Sequence, residues 1–369
     1  MKYYLLSLWL ITGLFSDSFV YLEDEELYEL SFPCQDSGAF PDYVSEDFPE
    51  TAGDDLLNLE EGAQDFILET KQIVIPECPH AFNPSIVRWR GALLMSFRVY
   101  NPTTRVPNYI GLSFLDEKFN PIGSAFLLHT RTTNPFRPFK RQDPRLITVG
   151  GRLFIVYNDL LDDETSRRMC IAEVHFDGTR FFSDPPQLLC RFKGERKDRW
   201  EKNWTPFEHD KNLMLAYSLV PHLILHPREE TCEEVAITQS PINWKWGTLR
   251  GGTPALREGD RYLAFFHSSI PMSSKHSEGK VVPHYFMGAY TFEAQPPFAV
   301  TAVSPSPLIG KEFYEGTKHK TWRPLHVVFP GGFVFDNQHV WIAYGRQDHE
   351  IWLAKLNKEK LLNSLVPTQ

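Results

Sequence analysis

The tetrapeptide Gln142-Asp143-Pro144-Arg145 sets a carboxylate beside a proline that fixes the backbone and an arginine that brings positive charge. On a face otherwise short of acids, such a lone Asp suits a proton donor. The blander account is an Asp that closes a turn at a strand start. Lys202-Asn203-Trp204 joins a cation, an amide and an aromatic ring, a set able to hold an anion, bond a hydroxyl and stack on a sugar face. A solvated Lys beside a core Trp explains the same residues, and Asn203-Trp204-Thr205 is also a glycosylation sequon. A glycan there would block the channel inferred below, so the sequon is expected to be unoccupied. Arg167-Arg168 offers guanidinium forks for an oxyanion, or simply a solvated strand edge. His267 ends an apolar strand, where a satisfied rim histidine is the commoner outcome. Tyr344-Gly345-Arg346-Gln347-Asp348 ends another, and turn chemistry alone accounts for it.

These residues lie far apart in the chain, so any joint chemistry depends on elements that gather them. After Lys71 the sequence consists of short runs of Val, Ile, Phe, Tyr and Leu cut by Gly, Asn, Asp and Pro, the texture of an all-β protein. Helical periodicity is confined to a piece from Lys358 to Leu365. A loose unit recurs: a polar residue near a Pro, a short apolar strand, a turn, then a strand ending in Tyr, Phe or His. Its openings are Asn83-Pro84-Ser85, Asp143-Pro144-Arg145, Asn203-Trp204-Thr205-Pro206, Gly252-Thr253-Pro254 and Val328-Phe329-Pro330. A third strand marked by small residues follows each pair, as in Ile110-Gly111-Leu112-Ser113 and Phe286-Met287-Gly288-Ala289. Five copies at a period of roughly fifty to sixty residues predict a five-bladed β-propeller, since a β-sandwich would not repeat itself this way. The first strand of every propeller blade lines the central channel. Asn83, Asp143, Lys202-Asn203, Gly252-Thr253 and the 326–332 stretch are therefore expected to converge.

Composition bounds what the channel could serve. The chain has 369 residues, 42% of them hydrophobic, enough for a sizeable core. Its formal charge is -9, yet residues 19–70 carry 16 acids and no Lys or Arg, which leaves +7 for the rest. That excess permits a pocket for phosphate or a sugar phosphate; no Lys/Arg stripe suggests nucleic acid. Residues 3–15 form an apolar run behind Lys2 and precede Ser16-Asp17-Ser18, which reads as a signal peptide over residues 1–18 and predicts a secreted or periplasmic protein. Membrane association is expected only if that segment stays uncleaved. Residues 19–70 read as an acidic, partly disordered lead-in and 71–369 as the propeller, with Lys71 to Ile75 as an added strand on the last blade. Cys34, Cys78, Cys170, Cys190 and Cys232 are widely spaced and imply neither a zinc site nor a disulfide framework, although one bridge is compatible. No metal or cofactor is expected, and nothing in the sequence sets an oligomeric state.

Taken in order, one set of motifs resembles the β-mannoside phosphorylases and related mannosidases of glycoside hydrolase family 130. It comprises Asn83-Pro84-Ser85 with Arg98, Gln142-Asp143-Pro144-Arg145, Lys202-Asn203 with Phe207, Gly251-Gly252-Thr253-Pro254 with His267, Tyr285 through Gly288-Ala289, Val327-Val328-Phe329-Pro330-Gly331, and Tyr344-Gly345 with Asp348. The likeness runs from about Ala81 to Leu356, and that family is likewise a five-bladed propeller. It implies an inverting phosphorolysis that gives mannose 1-phosphate, with an oligosaccharide or mannosylated glycan as substrate and inorganic phosphate as co-substrate. Asp143 matches the general acid. Asn83, Ser85, Arg98 and Asp348 match positions that hold the sugar, and Arg168 and Lys202 match phosphate-binding ones; Arg145, Asn203, Trp204, His267 and Tyr344 are further candidates for the sugar, and His222 for the phosphate. The chain departs from the pattern in having Gln142 where a Glu is usual, and Val220-Pro221-His222 where an Arg-Pro is expected. A signal peptide also fits an exported hydrolase, or a mannosyltransferase on the same propeller, better than a phosphorylase. A non-catalytic glycan-binding propeller is the alternative from outside enzymology.

Overall fold

The computed structural model describes residues 56–99, 109–130, 141–160, 167–193, 200–229, 231–319 and 324–368. The predicted signal and most of the acidic lead-in lie outside the described residues. Five sheets follow one another around a ring, the five-bladed propeller expected from the repeats. Blade one runs Phe82–Trp89, Ala92–Val99, Tyr109–Leu115 and Pro121–Leu127 from the inside outward. Blade two places Gln142–Val149, Arg152–Leu160 and Arg167–Phe176 inside Phe181–Ser183. Blade three is Thr205–His209, Asn212–Leu219, His222–Pro227 and Cys232–Thr238. In blade four the inner strand is broken into Arg250–Gly251 and Leu256–Glu258, and both pieces pair with the long strand Arg261–Met272. Blade five comprises Val328–Asp336, His339–Arg346 and Glu350–Asn357.

The outermost strand of blade five comes from the beginning of the chain. Ile67–Ile73 pairs antiparallel with Glu350–Asn357, from Ile67 opposite Leu356 to Ile73 opposite Ile351. The ring therefore closes by joining chain start to chain end, and the closing strand begins four residues before the sequence boundary at 71. Acidity hid this. Leu59 and Phe66 are buried in the core shared by blades four and five. The Glu60 carboxylate accepts the backbone N–H groups of Glu312 (3.0 Å), Tyr314 (2.7 Å) and Glu315 (2.9 Å). The helix Lys358–Ser364 follows, capped by Asn357, whose side chain accepts the Lys360 N–H at 2.9 Å.

Apolar side chains from facing sheets fill the wedges between blades. Leu93, Met95 and Phe97 of blade one meet Ile351 and Leu353 of blade five, and Phe207 and Ile224 of blade three meet Phe266, Tyr290 and Phe292 of blade four. The inner strands approach closely at the axis. A Cβ on Gly331 would overlap the carbonyl oxygen of Pro84, and one on Gly251 would overlap that of Asn203. Only glycine permits these two inter-blade contacts.

Candidate active site

Three blades open on a residue in the left-handed region: Asn83 (φ 49°), Asp143 (φ 54°) and Asn203 (φ 64°). Asn and Asp tolerate that backbone best among non-glycine residues, which explains why these types recur at the head of the repeat. The kink brings the three heads together. Asn83 Nδ2 donates to Asp143 Oδ1 at 2.9 Å, and Arg98 Nη1 lies 3.7 Å from the same oxygen. Asn203 is tied in through Arg145, whose Nη2 donates to Asn203 Oδ1 at 3.1 Å.

Asp143 lies in a cluster of cations. Burial pushes its pKa up, but Arg98, Lys202 and Arg145 outweigh burial and hold it below the ordinary aspartate value. Lys202 feels the converse: burial, then Arg167, with Arg98 and Arg250, brings its amine down to about 8 against the pull of Asp143. Gln142 joins two of the cations. With its amide oxygen turned toward them, it accepts from Arg98 Nη2 and Arg167 Nη2, each at 3.1 Å. Arg167 also donates from Nη1 to Asn158 Oδ1 at 3.0 Å. Its guanidinium and the Lys202 ammonium lie over the Trp200 ring, 5.5 and 5.0 Å from the centroid, and that ring is 57% exposed.

Several residues expected to touch ligand are instead part of the frame. Arg145 is 1% exposed; its Nε donates to Gly252 O and its Nη1 to Asp143 O at 3.2 Å, so it braces blades two, three and four. Ser85 is fully buried and accepts the Leu146 N–H at 3.0 Å. Trp204 stacks on no open face: it lies in the core between blades two and three, its Nε1 donating to Glu201 at 3.2 Å. Tyr344 packs against Phe313 at 4.9 Å within the core, and burial pushes its hydroxyl far above the ordinary tyrosine range. His222 is not near the cations: it is walled in by Phe292 and Tyr290, bonds Phe298 O at 2.8 Å, and burial lowers it to about 4. His267 is a buried neutral ring between Tyr285 and Phe329, lowered to about 3 by burial and by Arg250 and Arg145. Arg168 is 2% exposed and donates to Arg167 O at 3.1 Å; the member of the doublet that reaches the cluster is Arg167. Asp348 is half-buried in the turn between the second and third strands of blade five, with φ 52°.

The site thus keeps Asp143, Asn83, Arg98, Asn203 and Lys202 from the sequence expectation and adds Gln142, Arg167, Arg250 and Trp200. Strand alternation implies that Arg167 and Arg168 face opposite sides, without saying which of the two meets the cluster. A cleft lined by Ile147, Glu208, Lys211, Arg257 and Tyr262 opens away from this cluster, beside the far end of the inner strand Gln142–Val149. Among the described residues, Glu173, His175 and Asp184 on blade two stand close enough to share a metal ion, but Arg152 already holds the Glu173 carboxylate.

No protein-family model and no curated protein matches the sequence. Solved structures do. A glycosyl hydrolase from Bacteroides ovatus is 12% identical, with a TM-score of 0.58 over 87% of this chain and 98% of its own. The β-1,2-mannobiose phosphorylase of Listeria innocua, solved with β-1,2-mannobiose, is 13% identical, with a TM-score of 0.54 over 83% and 96%. A mannose phosphorylase from Leishmania mexicana, solved with a phosphate ion, is 12% identical, with a TM-score of 0.56 over 84% and 94%. The chain shares its fold with all three.

Proposed function

We propose that this propeller is a carbohydrate-active enzyme of the glycoside hydrolase family 130 type, which transfers a β-linked mannosyl unit to inorganic phosphate. The observation that carries the reading is the placement of the buried carboxylate of Asp143 against Arg98 and Lys202, with Arg167 beside them. A module that only binds glycan has no need of an acid facing an anion-binding group. In this reading phosphate is held by Lys202, Arg98 and Arg167, which concentrate the nucleophile and fix its line of attack. One phosphate oxygen bonds the anomeric carbon, the glycosidic C–O bond breaks, and the leaving oxygen takes a proton from Asp143, directly or through a sugar hydroxyl. The proton carried in on hydrogen phosphate restores the acid, so the reaction balances as mannose 1-phosphate plus the free acceptor. Asn83 orients Asp143, Arg145 braces the ring beneath it, and the exposed Trp200 face offers a stacking surface for a sugar. The apolar run at residues 3–15 supports export as part of the same reading.

The test is a panel of β-mannobioses assayed with and without phosphate. Phosphate-dependent release of mannose 1-phosphate is the expected result. Phosphate-independent release of free mannose would make the protein a hydrolase. Turnover that is unchanged in Asp143→Asn would remove the catalytic role of this carboxylate.

A further inference from the structure

An anion held by these cations would not be electrically independent of the acid. Arg98 is shared: one arm of its guanidinium lies 3.7 Å from Asp143 Oδ1, and the other donates to Gln142 at 3.1 Å. Gln142 in turn accepts from Arg167, which lies over the same Trp200 ring as Lys202. Asp143 and Gln142 are adjacent in the chain, so the acid and the anion-binding fork are built on neighbouring residues.

We propose that the anion and the proton are taken up together: a tetrahedral dianion seated by Arg98, Arg167 and Lys202 converts Asp143 from a carboxylate to an acid, and the neutral Gln142 amide holds the two guanidiniums side by side for it. This rests on the reading of an anion site under Proposed function. The groups facing Asp143 are Arg98 from blade one, Arg145 on its own strand, Lys202 at the head of blade three and neutral His267 on blade four, while Arg250 acts on Lys202 and His267. With no anion bound, the cations favour the ionised carboxylate, which cannot donate a proton. A dianion cancels two of their charges and repels the carboxylate, so one proton moves from solvent to Asp143 and the site's net charge falls by one rather than two. The donor is thereby armed only when the nucleophile is in place. A Glu at position 142 would neutralise one guanidinium in advance and weaken the effect. Linkage makes the coupling reciprocal: an uncharged side chain at position 143 must tighten anion binding by the same factor by which the anion favours the proton.

Titration calorimetry with inorganic sulfate tests this, because sulfate does not itself exchange protons near neutrality. Run at about pH 5.5 in buffers of different ionisation enthalpy, where Lys202 stays protonated, the wild-type protein should take up a substantial fraction of a proton on binding. The uptake should shrink toward neutral pH. Asp143→Asn should bind sulfate more tightly, by a factor within the roughly 5- to 150-fold span of typical site-to-site coupling, and should show no uptake. Gln142→Glu should bind sulfate more weakly. Sulfate binding with equal affinity in wild type and Asp143→Asn, and no proton uptake in either, would overturn the coupling while leaving the anion site intact. No binding of sulfate or phosphate by any variant would overturn the anion site itself, and the coupling with it.

Discussion

Asp143 and Glu350 are both buried carboxylates beside an arginine, and both are held below their ordinary pKa against the opposing push of burial. Their surroundings differ. Glu350 accepts from Arg346 Nε at 2.6 Å, from Trp352 Nε1 at 2.7 Å and from His319 Nε2 at 2.8 Å, so both its oxygens are occupied by donors of its own blade and the adjoining loop. Asp143 accepts from Asn83 alone at hydrogen-bond distance among the described residues, with Arg98 standing off at 3.7 Å. The first arrangement uses charge to hold a structure together. The second leaves charge available to a ligand, at a backbone position that is itself strained.

Substitutions should separate the two roles. The largest effect expected is on turnover: Asp143→Asn should lower kcat roughly a hundred- to ten-thousand-fold, the usual worth of a general acid, in steady-state assays with the preferred β-mannoside. Its amide oxygen still accepts from Asn83, so the melting temperature should move little. Glu350→Ala should do the reverse. Removing one partner of a buried pair costs about 3 to 5 kcal/mol, read as a shifted urea midpoint at unchanged kcat for the folded fraction. The pH dependence follows in sign: because the Glu350 carboxyl is depressed, its contribution is complete above about pH 4.3 and is lost as pH falls through the folded value. Acid unfolding of the wild type should therefore be steeper than that of Glu350→Ala.

A smaller effect concerns Lys202, whose amine sits at about 8. The charged form predominates below that value, so the KM for phosphate should rise as pH passes through it, and Lys202→Ala should raise KM at neutral pH and remove that limb of the profile. The smallest effect on turnover comes from two tryptophans four positions apart in sequence. Trp200→Phe should change KM for the sugar by a fewfold without altering stability, whereas Trp204→Ala should cost about 3 to 5 kcal/mol of stability as a core truncation.

That last pair shows where sequence reading reached its limit. The repeat made the ring and its five blades legible, because turn residues and short apolar runs are local signals. It also brought Asn83, Asp143, Lys202 and Asn203 to one place, since each sits at the same point of its unit. Which neighbour faces the channel was not legible. Trp204 and Arg168 are of the right type but point into the protein, while Trp200 and Arg167 meet the cluster. Nor does a residue type reveal what already holds it: Arg145, Ser85 and Tyr344 are of kinds that bind sugars elsewhere, yet here backbone carbonyls, an amide and a phenyl ring surround them. The acids around Glu60 masked a clasp, because composition records the charge of a side chain and not the three N–H groups waiting for it.

The joint between Ile67–Ile73 and Glu350–Asn357 also has a temporal meaning. During synthesis the chain's first propeller strand must wait, unpaired, until almost all of the protein has left the ribosome. The intervening blades can each form from contiguous sequence, but the seam between first and last bears the entropy of drawing together two distant ends. Until it is sealed, blade five lacks its outer strand and presents an open edge to other chains. A ribosome stalled shortly before residue 350 would therefore hold a molecule with its Asp143 carboxylate already made and its circle still broken.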